Sequence, residues 1–315
     1  MGANYMMSKI SNSSTDLIVI LGPTATGKTL LAVQLADKWN GEIISADSRQ
    51  VYRNMDIGTG KDLNEYEHSR KPIPYHLIDI ADPIEEYNVA KFQKDFFRVF
   101  SDISARNKLP ILCGGTGFYI KAVLMDFHLP SVAPDMKLRQ ELENWELEDL
   151  ILKLESISPG ASKNSSLETK RRIIRAIEIQ VNRGIEKEEK RRIKFEIHNP
   201  IVLGIEYPRE VIRGRITVRL QERIDQGMIQ EVERLLDIGI THERLERLGL
   251  EYRFISYYLR GQLTRGEMVE KLNTAIHQFA KRQMTIFRNI EKNGIKIHWI
   301  PKGDMEKAMD VIKNI

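Results

Sequence analysis

A doubly wound, P-loop-type α/β parallel sheet with a helical insertion domain and a helical C-terminal part is the architecture this sequence predicts. Three observations carry it. Residues 17 to 29 read LIVILGPTATGKT, a short apolar run followed by the pattern G-x-x-x-x-G-K-[ST] in the strand, turn and helix setting of a phosphate-cradling loop. Short apolar runs then alternate with helical patterns, as a parallel sheet buried on both faces requires. Between about 130 and 198 the character changes to polar helices behind a proline-bearing linker, LPSVAPDM, which reads as an insertion splitting the core.

In chain order, the strands are expected at Leu17–Leu21, Ile43–Ser45, Leu77–Ile80, Ile111–Cys113, Ile201–Tyr207 and Lys296–Ile300. Helical patterns fall at Leu30–Trp39, Val89–Arg106 and, in the insertion, around Trp145 and Ile173–Val181. From 208 to 292 the pattern is helical, with turns at Gly239, Gly249 and Gly261. The organisation is thus a disordered polar tail over 1–14, a P-loop catalytic core formed by 15–129 and 199–315, and a helical insertion over 130–198.

The P-loop brings its own chemistry. Gly22 and Gly27 let the loop through Pro23, Thr24, Ala25 and Thr26 turn its backbone N–H groups, which start after Pro23, towards phosphate oxygens. The following helix adds its positive end. Lys28 supplies a mobile charge, and the Thr29 hydroxyl can ligate Mg²⁺. The second strand runs into ISADSRQVY, so Asp47 and Ser48 should face the same crevice, where strand ends bind ligands in open α/β sheets. A carboxylate beside phosphates needs a task, such as accepting a proton; the competing role is a cap of the next turn. Arg49 and Gln50 add donors. A second glycine turn, Gly114-Gly115-Thr116-Gly117, follows the fourth strand and can offer amides and the Thr116 hydroxyl. HLID (76–79) is a poor match to a Walker B strand end carrying Asp79. Arg215 and Arg219 share a helix face, which suits either a pyrophosphate leaving group or a surface ion-pair face with Glu222.

Composition limits the alternatives. The single cysteine, Cys113, excludes an internal disulfide and a cysteine-based zinc site, and points to a reducing cytoplasm. The seven histidines lack metal spacing, no apolar run is long enough to span a membrane, and the N-terminus lacks a secretory h-region. The net charge is +4 over 315 residues, unevenly placed. Residues 1–130 hold 14 basic and 15 acidic side chains, whereas 131–315 hold 34 and 29. The excess clusters at Lys170-Arg171-Arg172 with Arg175, Lys190-Arg191-Arg192, Arg213-Arg215-Arg219, and Lys281-Arg282 with Arg288. Such clusters are the footprint of a nucleic-acid partner, although KEEKRR also fits a solvated, glutamate-laced helix.

Taken together, GPTATGKT (22–29), ISADSRQVYRNMDIGT (44–59), PYHLIDIADPIEEYNVAKF (74–92), LPILCGGTGFYIKAVL (109–124), KRRIIRAIEI (170–179) and FAKRQMTIFR (279–288) resemble the tRNA dimethylallyltransferase, or tRNA isopentenyltransferase, family. The P-loop is widely shared; ADSRQVY with MDIGT is far more specific. The resemblance implies transfer of a dimethylallyl group from dimethylallyl diphosphate to N6 of the adenosine 3′-adjacent to the anticodon, with Mg²⁺, by a cytoplasmic monomer. By the same resemblance Asp47 matches the proton acceptor, Thr24 and Lys28 match diphosphate contacts, and Arg215 or Arg219 meets the leaving group. The tRNA would meet Asp47, Ser48, Arg49, Gln50, Thr116, Arg139, Arg171, Arg172, Arg175, Arg247, Gly249, Tyr252, Lys281, Arg282 and Gln283, with the insertion gripping the anticodon stem-loop. One stretch departs: where the family commonly shows G-Y-[RK]-[EQ], this chain has Gly249-Leu250-Glu251-Tyr252-Arg253. The main alternative is a small-molecule or nucleoside kinase using ATP on the same loop. The basic insertion and ADSRQVY argue against it.

Overall fold

The computed structural model describes residues 15–67, 71–125, 132, 134–161, 169–182 and 197–315. The expected tail over 1–14, half of the linker and the Lys190-Arg191-Arg192 cluster lie outside them. The chain divides into two compact units, one formed by 1–127 with 196–315 and the other by 128–195.

The larger unit is built on a six-stranded, all-parallel sheet in the order β3-β2-β4-β1-β5-β6. The strands are β1 (Leu17–Leu21), β2 (Gly41–Ser45), β3 (Tyr75–His76), β4 (Leu109–Gly114), β5 (Pro200–Glu206) and β6 (Ile297–Pro301). β1 lies inside the sheet, with Val19 in register with Leu112 on β4 and Val202 on β5. Its side chains alternate between two cores. Leu17, Val19 and Leu21 pack with Phe92, Phe96 and Phe287, whereas Ile18 and Ile20 pack with Leu31, Leu35 and Ile312. All five are fully buried, which is why the run carries no polar alternation.

Helices cover both faces. α1 (Lys28–Trp39), α2 (Val89–Ala105) and α3 (Gly117–Leu124) connect the first strands. In the smaller unit stand α4 (Met136–Glu143), α5 (Leu147–Ile157) and α6 (Lys170–Val181). The chain returns through β5 to α7 (Arg209–Asp225), α8 (Met228–Asp237), α9 (His242–Leu248), α10 (Leu250–Leu259) and α11 (Arg265–Lys292), and α12 (Met305–Lys313) follows β6. A third apolar core, with Ile216, Met228, Leu245, Tyr252 and Met268, joins α7–α11 to Val51, Tyr52 and Met55 of the loop after β2. Gly239 and Gly261 end α8 and α10 with positive φ of 93° and 71°. No helix among the described residues is long and apolar enough to cross a membrane.

One expected strand is corrected. Leu77–Ile80 is not a strand: β3 pairs only through Tyr75 and His76, and Leu77 and Asp79 adopt positive φ of 63° and 55°. The apolar pattern is real, since Leu77 and Ile78 are buried, but the segment leaves the sheet to bond with the loop after β2. Asp79 N–H donates to Gln50 O at 3.1 Å, and Ile80 N–H to Val51 O at 2.9 Å. The Asp79 carboxylate pairs with the buried Lys61 ammonium, which also donates to Tyr52 O at 2.8 Å and Asp56 at 2.6 Å. Asp79 is therefore committed to a structural pair rather than a Walker B role.

The smaller unit has its own core of Leu142, Leu150, Leu154, Ile173, Ile174 and Ile177. Its polar centre is Glu178, fully buried on α6. Arg139 grips that carboxylate through Nε at 2.9 Å and Nη2 at 3.0 Å, and Arg175 pairs with it from one turn earlier. Burial alone would raise the Glu178 pKa; the hydrogen bonds from Arg139 and Arg175 hold it below the ordinary value instead.

Candidate active site

The carboxyl ends of β1, β2 and β4 open into a cavity of about 820 Å³. Thr24 to Thr29 form one wall, Asp47 to Gln50 and Gly114 to Thr116 the next, and residues between 58 and 66 together with α7, α9, α10 and α11 close the rest. The sequence folds this way locally for steric reasons. A Cβ on Gly114 would sit 2.3 Å from the Ala46 carbonyl oxygen, so the strand ends can approach only without a side chain there. That approach lets Ala46 N–H donate to Cys113 O at 2.7 Å and Thr116 N–H to Ala46 O at 3.0 Å.

The P-loop is held from several sides. Thr26 Oγ1 and Lys28 Nζ both donate to Pro23 O at 2.8 Å. Ala25 and Gly27 have φ of 62° and 79°, which rolls the loop around its amides. Burial, the largest cause, lowers the Lys28 ammonium pKa to about 8; Arg219 adds to the drop, while Asp47 opposes it. Burial pushes the Cys113 thiol up to about 12, so this cavity-lining cysteine stays protonated.

Asp47 is both a turn former and a cavity group. Its Oδ1 accepts Arg49 N–H at 2.8 Å and Gln50 N–H at 3.4 Å, which fixes the carboxylate on the wall beside the P-loop. Ser48 N–H donates to Thr116 Oγ1 at 3.0 Å, tying the second-strand loop to the second glycine turn. Gln50 bridges Ser45 Oγ at 3.1 Å and Gly60 O at 2.9 Å. Gln283 of α11 accepts Thr24 N–H at 2.9 Å and donates to Gly115 O at 2.8 Å, so one amide spans the two glycine turns.

α7 places Arg215, Arg219 and Arg223 at successive i+4 positions, all lining the cavity. Arg215 Nε donates to Ala25 O at 2.7 Å, and its guanidinium stands 5.2 Å from the Tyr207 ring centroid. Arg219 pairs with Asp62. Arg223 presses against Gly60, where a Cβ would fall 1.5 Å from its Nη2. Burial, with repulsion from Arg219, lowers the Arg223 pKa, and burial raises that of Glu251 on the opposite wall.

The structure therefore gathers Thr24, Lys28, Thr29, Asp47, Ser48, Arg49, Gln50, Thr116, Arg215, Arg219, Arg247, Gly249, Tyr252 and Gln283 around one cavity. Several have interior partners: Gln50 and Gln283 as above, and Tyr252, whose hydroxyl donates to Glu231 at 2.7 Å. Lys281 and Arg282 are exposed on α11 and do not line the cavity. Arg139, Arg171, Arg172 and Arg175 belong to the smaller unit, where Arg171 and Arg172 are exposed.

Sequence reasoning missed Glu231, which is buried and accepts the N–H groups of Asp56 at 2.8 Å, Ile57 at 2.7 Å and Gly58 at 2.9 Å. In EVERLL it reads as one more solvated acid of an amphipathic helix, so no local signal marks it. Arg223 could have been found by extending the 215–219 spacing one more turn.

Comparison with known proteins gives one answer. Residues 50–290 match the IPP transferase family and residues 15–73 match the isopentenyl transferase family. The chain is 50% identical over 289 residues to tRNA dimethylallyltransferase 2 of Trichlorobacter lovleyi, covering 92% of this chain and 93% of that protein. It is 50% identical over 287 residues to tRNA dimethylallyltransferase 1 of Parabacteroides distasonis, covering 91% and 92%. Among solved structures, the tRNA isopentenylpyrophosphate transferase of Bacillus halodurans is similar with a TM-score of 0.68 and 36% identity, over 95% of this chain and 94% of that one. A eukaryotic dimethylallyltransferase acting on tRNA shares the fold, with a TM-score of 0.70 at 24% identity, over 93% and 75%. By sequence and by fold, the chain belongs to the IPP transferase family, the tRNA dimethylallyltransferases.

Proposed function

We propose that this protein transfers the dimethylallyl group of dimethylallyl diphosphate to N6 of the adenosine 3′-adjacent to the anticodon of tRNA, releasing diphosphate. The observation that carries the reading is the sharing of one cavity by a P-loop, an arginine ladder and the amide-oriented Asp47 carboxylate. The diphosphate head would occupy the P-loop amides and Lys28, with Arg215 first and Arg219 second on the departing oxygens. Charge that develops on the leaving group would then meet preset donors, which is where such donors accelerate a reaction most. Val218, Ile276 and Phe279 supply an apolar wall for the five-carbon tail.

In the reacting pair, the N6–C1 bond forms as the C1–O bond to diphosphate breaks. N6 becomes acidic as it is alkylated, and its proton passes to Asp47. The base must leave the anticodon-loop stack to reach this carboxylate.

Thr29 lines the cavity beside the P-loop, and its hydroxyl suits an ion that arrives with phosphate oxygens. The Thr29 hydroxyl and those oxygens would hold Mg²⁺, which supplies charge neutralisation on the diphosphate. The single-cysteine chain suits a reducing cytoplasm, where tRNA is met, and the protein works as a monomer.

Incubation with labelled dimethylallyl diphosphate and a tRNA transcript, beside an ATP-hydrolysis control, tests the reading. Label should enter tRNA at the adenosine after the anticodon. Asp47→Ala should lower turnover by about 10²- to 10⁴-fold with tRNA binding retained. ATP hydrolysis without label transfer would establish the kinase alternative instead.

A further inference from the structure

Phe118 stands out among the residues near the cavity. It lies two positions after Thr116, on the first turn of α3, and 59% of its surface is exposed. Its neighbours Gly117, Tyr119, Ile120, Ala122 and Val123 are buried, so the helix has a complete apolar face without it. The exposed ring therefore contributes little to the core.

What surrounds it has the chemistry of an RNA surface. α3 runs beside the C-terminal half of α11: Gly115 meets Gln283, a Cβ on Gly117 would lie 2.5 Å from Ile286, and Lys121 donates to Asn289 at 3.2 Å. This section of α11 exposes Lys281 and Arg282. The N-terminus of α3 adds the positive end of its dipole. Single-stranded RNA is bound by this combination, in which cations hold the backbone and an aromatic face takes an unstacked base.

We propose that Phe118 is a stacking platform for an anticodon-loop base next to the extruded adenosine. Extrusion removes one base from the loop stack and leaves the face of its neighbour uncovered. A phenyl ring at the rim replaces that lost stacking and so favours the extruded state. The inference rests on the RNA-acceptor reading given above.

The test uses the full-length protein with tRNA and dimethylallyl diphosphate. Phe118→Ala should raise KM for tRNA about tenfold, the scale of one base–aromatic stack, while KM for the donor stays within twofold. Phe118→Trp should keep wild-type KM, and its fluorescence should be quenched by an anticodon stem-loop beyond the change seen in wild type. Phe118→Leu should behave as Phe118→Ala, because an aliphatic chain covers area without stacking. Stem-loops with single abasic positions should identify the partner as the position where the Phe118→Ala penalty disappears. An unchanged KM for tRNA in Phe118→Ala, a leucine variant equal to wild type, or a penalty at every abasic position overturns the proposal. If wild-type protein fails to modify tRNA, the RNA-acceptor reading falls instead.

Discussion

Replacing Glu231 by glutamine should loosen the 56–60 loop and lower stability measurably, although the residue touches no substrate. The carboxylate receives three backbone N–H groups and the Tyr252 hydroxyl, split between its two oxygens, with 3% of the residue exposed. Glutamine keeps one acceptor oxygen and turns an NH₂ group towards the partners of the other. Two donors of that pair thereby lose their acceptor in a buried setting. At about 1.5 kcal/mol for each hydrogen bond to a charged group, the loss is about 3 kcal/mol. An unfolding entropy of about 2.1 cal/mol/K per residue converts this to a fall in Tm of about 5 °C for a chain of this size. Thermal denaturation reads the shift, and hydrogen exchange should show the amides of Asp56, Ile57 and Gly58 losing protection. Tyr252→Phe removes only one donor, so it should cost about half as much and combine with Glu231→Gln non-additively. A Glu231→Gln protein with wild-type Tm and protected loop amides would refute the assignment of this carboxylate as the anchor.

Donor binding should depend on pH through Lys28. The free protein holds this ammonium at about 8, so donor Kd should be flat below that value and rise above it as the proton is lost, read by calorimetry between pH 6.5 and 9.5. Lys28→Arg, which cannot deprotonate in this range, should remove the slope. Gly114→Ala should be poorly tolerated, because its Cβ would meet the Ala46 carbonyl oxygen at 2.3 Å. The strand ends must part, and turnover should fall together with thermal stability. Arg171→Glu, on the exposed face of α6, should weaken tRNA binding in a filter assay and leave donor Kd unchanged; a fall in donor affinity would contradict the separation of the two surfaces.

Much of this architecture is legible in the sequence because its signals are local. The P-loop pattern states its own backbone geometry, and the unbroken apolar runs at 17–21 and 201–205 can only be buried on both faces. The failure at Leu77–Ile80 has a cause that no window of residues contains. Leu77 and Ile78 are buried, but Lys61 and the carbonyls of Gln50 and Val51 draw the backbone away from β2. Within the site, residues carried by contiguous motifs, such as Asp47 and Thr116, were readable. Residues that act through partners far along the chain were not: Glu231 reaches back 173 to 175 positions to its amides. Gln283, which the resemblance places near the tRNA, also ties the two glycine turns together through its amide, a role that no local window of sequence displays.

That last amide has a kinetic consequence. A 28-residue helix delivers the Gln283 side chain, so Thr24 on the P-loop wall and Gly115 on the glycine-turn wall share a single strut. Neither wall can shift to admit its own substrate without tugging on the other. Filling of either half should therefore retune the affinity of the opposite half, and the two substrates should show mutual dependence in their binding isotherms.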